Sequence, residues 1–135
     1  MSDKAIVVGW TPNAYGRAAV SAAVKEAGLR GHRLVVVNAT KGDVLVDERY
    51  AGDSDRAALE SEVAASGVPL EIRQTMGLDV ADQVLAVAEE VSASLVVIGL
   101  RRRSPVGKLI MGSVAQRILL GADCPVLAVK PSAAD

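Results

Sequence analysis

Four short runs constrain what this chain can fold into: Ala5-Ile6-Val7-Val8-Gly9, Leu34-Val35-Val36-Val37, Leu95-Val96-Val97-Ile98 and Val126-Leu127-Ala128-Val129. Each is continuously apolar and rich in β-branched residues, the pattern of strands buried on both faces. The segments between them carry apolar residues at helical spacing: Ala19, Ala23 and Ala27 beside Val20 and Val24; Leu59, Val63 and Ala64; Val80, Val84, Ala88 and Val91; Val114, Ile118 and Leu119. A further run, residues 69–74, alternates apolar with polar side chains and reads as a half-exposed third strand. Strand and helix therefore alternate along the chain. The expected fold is α/β: one doubly wound three-layer sandwich over residues 1–135, with helices on both faces of a five-stranded, mainly parallel sheet.

Punctuation agrees with this reading. Thr11-Pro12 supplies a helix cap followed by proline, Asp79 with Asp82 opens a helix, and Ser113 with Gln116 has capping-box spacing. Gly28, Gly67 and Gly121 stand where helices are expected to stop. The stretch from Ala39 to about Asp53 is rich in Gly and acidic residues and reads as a long loop.

Composition excludes several classes. The single Cys rules out an intrachain disulfide, a zinc cluster and a CxxC redox pair, which points to a reducing, cytoplasmic compartment. Only five or six apolar residues follow Met1-Ser2-Asp3-Lys4 before Thr11-Pro12, too few for a secretory or membrane-spanning segment, so no membrane partner is expected. With 2% aromatic residues and no Phe there is little on which bases of a single strand could stack, so no nucleic-acid partner is expected either. The net charge of −1 hides an asymmetry: residues 99–117 hold Arg101, Arg102, Arg103, Lys108 and Arg117 with no acidic residue. Attraction for anions is concentrated there.

In an open parallel sheet, ligands bind beyond the carboxyl ends of the strands. Three segments meet that condition: Gly9 to Asn13, Asn38 to Thr40, and Gly99 to Ser113. The last is the most informative, because Gly112-Ser113 opens a helix whose first N–H groups and positive dipole end favour phosphate. Better-known phosphate motifs fail. A Walker A loop would need Gly and Ser/Thr where Arg102 and Leu109 stand, and the turn after Gly9 has no G-x-G-x-x-G. Trp10 reads as core or pocket wall, His32 lies at the far edge from the proposed site, and Cys124 reads as a small buried hydrophobe. No catalytic or metal-binding set suggests itself.

The segments Val96-Val97-Ile98-Gly99, residues 109–119 and Cys124-Pro125-Val126-Leu127-Ala128-Val129 resemble the C-terminal half of universal stress proteins; with Ile6-Val7-Val8-Gly9, the resemblance spans nearly the whole chain. It implies strand order 3-2-1-4-5, a homodimer formed through the 126–129 edge, and binding of ATP or another adenine nucleotide, with or without magnesium. The family pattern is Gly-x-x-Gly, nine residues, Gly-Ser/Thr. Gly99 matches its first glycine, and Gly112, Ser113 and the N–H of Val114 match its phosphate-holding end. Ala39 falls where the family contacts adenine. Two positions depart: Arg102 replaces the second glycine, and Thr11 stands where nucleotide-binding members often have an acidic residue. The expected site is a base between Gly9, Trp10, Thr11 and Ala39, a ribose near Gly99, and phosphates on Gly112, Ser113 and Val114 beneath Arg102 and Arg103. The resemblance thus implies a cytoplasmic, regulatory stress-response protein. The alternatives are a nucleotide-free dimeric interaction module, its pocket altered at Arg102 and Thr11, and a slow nucleotide hydrolase.

Overall fold

A computed structural model of the chain describes residues 4–41, 49–103 and 108–131, excluding the side chains of 102, 103 and 108–110. In chain order the elements are β1 (Ala5–Gly9), α1 (Ala14–Arg30), β2 (Arg33–Thr40), α2 (Asp53–Ser66), β3 (Leu70–Met76), α3 (Val80–Glu90), β4 (Leu95–Gly99), β5 (Arg101–Arg103), β6 (Lys108–Ile110), α4 (Ser113–Gly121) and β7 (Val126–Val129). Five of the strands form one parallel sheet in the order β3-β2-β1-β4-β7, the expected 3-2-1-4-5 arrangement.

Strand alternation divides the core in two. Ile6, Val8, Leu34, Val36 and Val97 face one layer, where Ala19, Val20, Ala23 and Ala27 of α1 and Leu59 and Val63 of α2 cover them. Val7, Val35, Val37, Val96 and Ile98 face the other, under Ala81, Val84 and Val87 of α3 and Ile118 of α4. The β1, β2 and β4 runs are buried on both faces, so they carry no polar alternation. The edge strand β3 alternates because Leu70 and Ile72 pack on the core beneath α1 and α2, while Arg73 and Thr75 on its other face make polar contacts to Glu90 and Gln83 of α3. An alanine stripe on α1 lets that helix lie close to the sheet.

Helix boundaries differ from expectation at three places, the cap of α1, its stop and the cap of α4. The helix α1 is capped by Asn13, whose side chain accepts the Gly16 N–H at 2.9 Å, and not by Thr11. It runs through Gly28 and ends at Gly31, whose φ of 68° is the left-handed conformation that favours glycine. At α4, Gly112 is the cap residue, so Ser113 and Gln116 form no capping box; the Gln116 side chain donates instead to the Met111 carbonyl at 3.2 Å. Gly121 is the last residue of α4, and Ala122 follows it in extended conformation. Gly67 and Asp79 do terminate and start helices as expected. Between β4 and α4 lies an antiparallel pair that the five expected strands do not include, β5–β6, with Arg101 opposite Ile110.

Candidate functional site

Parallel strands leave backbone groups unpaired where a neighbour stops. β1 ends at Gly9, opposite Val37, and the Trp10 N–H donates to the Val37 carbonyl at 2.9 Å. β2 continues to Thr40 against β3, so at Ala39 its β1-facing side has outrun the β1 strand. Beyond β1 the chain turns to α1 on one face of the sheet, and beyond β4 it leads to α4 on the other, beside α3. The result is a cleft of about 260 Å³ at the carboxyl end of the sheet.

Its walls combine the expected segments. Gly9, Trp10, Thr11 and Ala39 line one part, and Gly99, Gly112, Ser113 and Val114 another. The side chains of Arg102 and Arg103, expected over the phosphates, lie outside the described residues. Sequence reasoning missed Tyr15 and Arg49, named Arg101 only as part of the cationic segment 99–117, and did not assign to the site the apolar floor made by Val37, Val84, Ile98 and Ile118. The floor was detectable in principle: Val84 and Ile118 are the inward positions of the periodic stripes on α3 and α4. Among the described lining residues there is no Asp or Glu, and Arg49 and Arg101 contribute two cations.

Three helices present their N-terminal ends here, through Tyr15 of α1, Val80 of α3 and Ser113 of α4. Two are closed by their own side chains. Asn13 caps α1, and Asp79 caps α3 by accepting the Asp82 N–H at 2.9 Å. The Asp82 N–H, with Arg117 beside it, holds the Asp79 carboxyl below the usual carboxylate range. Arg117 of α4 donates to both Asp79 and Asp82, linking the two helices. At α4 the cap residue is glycine, with no side chain to answer the first N–H groups, and among the described residues the Ser113 hydroxyl has no partner. A Cβ on Gly112 would meet nothing within 4 Å, so the backbone there faces open space.

The turn after β1 is held from below. The fully buried Asn38 donates through Nδ2 to the carbonyls of Trp10, at 3.0 Å, and Arg49. Its Oδ1 accepts from the Ala51 N–H at 2.9 Å and Gln74 Nε2 at 3.1 Å. All the amide's hydrogens and its oxygen are thereby used, and three segments are tied to β2. Thr11 donates its hydroxyl to Asn13 Oδ1 at 3.0 Å, leaving the hydroxyl oxygen able to accept from a ligand. Gly99 lets α1 close the cleft: a Cβ there would lie 2.2 Å from the Tyr15 carbonyl oxygen.

Such a molecule is defined as a doubly wound α/β protein with a concave, cationic site at the switch point of its sheet. The universal stress protein family profile matches residues 4–130. A universal stress protein of Mycolicibacterium smegmatis is 49% identical over 126 residues, covering 93% of this chain and 97% of that protein. A universal stress protein of Archaeoglobus fulgidus is 29% identical with a TM-score of 0.74, covering 96% of this chain and 100% of that one. A structure of the Archaeoglobus fulgidus universal stress protein in complex with dAMP is 27% identical with a TM-score of 0.71, covering 94% and 98%. The chain belongs to the universal stress protein family.

Proposed function

We propose that the cleft binds an adenine nucleotide of the ATP type and that the protein is a cytoplasmic, single-domain stress-response regulator rather than a catalyst. The observation that carries this reading is the uncapped N-terminus of α4 at the cleft, where the N–H groups of Ser113 and Val114 and the Ser113 hydroxyl offer a phosphate seat. The apolar floor of Val37, Val84 and Ile98 suits a base, and the backbone of Ala39, beyond the end of β1, offers the edge contacts that adenine needs. Thr11 and Gly99 also line the cleft and are assigned to the ribose in this reading. The complex of the Archaeoglobus relative with dAMP supports the same ligand class. Ligand binding then acts by population shift, favouring one arrangement of the cleft's walls over others.

Thermal unfolding with ATP, ADP, AMP and cyclic AMP, with and without magnesium, tests this. A ligand at 100 times its dissociation constant raises stability by about 2.7 kcal/mol, a shift on the order of 10 °C for a chain of this size. The double variant Gly112→Val, Ser113→Ala puts a side chain where a Cβ on residue 112 meets nothing within 4 Å, removes the hydroxyl, and is expected to abolish the shift. No shift with any nucleotide at millimolar concentration rejects the nucleotide reading and leaves the interaction module.

The same proposal includes a homodimer through the outer edge of β7. Among the described residues that strand pairs only with β4, and its Leu127 is 37% exposed. An apolar, open strand edge is a template for pairing with a second copy. Sedimentation equilibrium is expected to return twice the chain mass, and a monomer mass at micromolar concentration rejects the dimer.

A further inference from the structure

We propose that Arg101 is the residue by which this cleft reads the ligand's phosphate charge, an inference that rests on the nucleotide reading above. Arg101 lines the cleft, exposed, with its guanidinium carbon 5.3 Å from the centroid of the Tyr15 ring. Arg30, Arg33, Arg56, Arg73 and Arg117 each pair with a carboxylate, whereas among the described residues Arg101 pairs with none. The described cleft wall offers it no acidic group either.

Position supports the assignment. The β5–β6 pairing sets Arg101 opposite Ile110, two residues before Gly112, so the hairpin carries the guanidinium to the same rim as the open N–H groups of α4. The ring of Tyr15 holds the guanidinium by a weak attraction that leaves all its N–H donors free. A phosphate accepting two of those donors makes the stronger, bidentate contact, so the exchange of aromatic face for anion is downhill. The stack also limits the side-chain freedom that binding would otherwise cost. A lysine at this position would bring the charge without the planar fork. The proposal therefore separates two roles: the α4 N–H groups position the phosphate, and Arg101 recognises that it is there.

Calorimetric titration of the intact protein and its Arg101→Met and Arg101→Lys variants with adenosine and with AMP decides the matter. The quantity read is the ratio of the two affinities. In the unaltered protein AMP binds more tightly than adenosine, and Arg101→Met lowers that ratio by about tenfold or more. Arg101→Lys recovers part of it, and added salt lowers the AMP affinity of the unaltered protein more than that of Arg101→Met. Thermal midpoints without ligand are expected to coincide, because the side chain is exposed. An unchanged ratio in Arg101→Met, or equal weakening of both ligands, overturns the role of Arg101 while the nucleotide reading stands. Binding of neither ligand by the unaltered protein overturns that reading and this inference together.

Discussion

Replacing Gly16 with alanine is expected to destabilise the protein by about 3 kcal/mol, against the roughly 1 kcal/mol gain that helix propensity alone would give inside a helix. The reason is steric. A Cβ on Gly16 would stand 1.9 Å from the Thr11 carbonyl oxygen and 2.8 Å from the Thr11 nitrogen, both backbone atoms of the turn joining β1 to α1. Neither can rotate away as a side chain would, so the turn or the helix must shift. Gly28 supplies the control within the same helix. Its Cβ would meet nothing within 4 Å and its φ is not positive, so Gly28→Ala is expected to stabilise by up to about 1 kcal/mol. Urea unfolding of both variants checks the pair: the midpoint falls for Gly16→Ala and rises for Gly28→Ala, at unchanged slope. Equal effects of the same sign would show that propensity, and not contact with Thr11, governs these positions. Because Thr11 lines the cleft, the Gly16 variant is also expected to lose ligand affinity.

Asn38→Leu is expected to cost about 3–4 kcal/mol even though it replaces a polar core residue by an apolar one of similar size. The substitution removes no volume. It strands the Trp10 carbonyl and the Ala51 N–H in the interior, each at about 1–3 kcal/mol, and only part of that returns as apolar burial. It also releases Gln74, which keeps its second bond to the Ala51 carbonyl at 2.8 Å. Asn38→Asp separates the two halves of the amide. The oxygen that serves Ala51 is kept, but a second oxygen then faces the carbonyls of Trp10 and Arg49, so this variant is destabilised as well. Chemical denaturation measures both, and a loss below about 1 kcal/mol in Asn38→Leu would mean that the hydrogen-bond cluster relaxes without consequence.

The sheet was legible in the sequence because β1, β2, β4 and β7 are apolar runs too short and too β-branched to be helices, and because crossover rules leave few ways to join parallel strands. The details that escaped depend on contacts remote in sequence. Thr11-Pro12 has the chemistry of a helix start, yet Asn13 takes the cap because the Thr11 carbonyl is pressed against Gly16, which no pattern of residue types records. The β5–β6 pair escaped because three arginines opposite a Lys-Leu-Ile segment carry no strand signature. At the site, the glycine and Ser113 positions were legible since close backbone approach and helix N-termini need particular residues. Tyr15 and Arg49 were not, as each reaches the cleft from an element whose orientation only the fold determines.

The tie that Arg117 makes to Asp79 and Asp82 couples two walls mechanically. The N-terminal end of α3, which borders the cleft, is thereby joined to the middle of α4. The coupling is made by groups in contact with water, with Arg117 51% exposed, and ions in solution weaken such a link. Rising ionic strength is therefore expected to loosen this polar contact between two of the cleft's walls and to leave the apolar packing of α3 on α4 in place, separate from any effect of salt on the ligand itself.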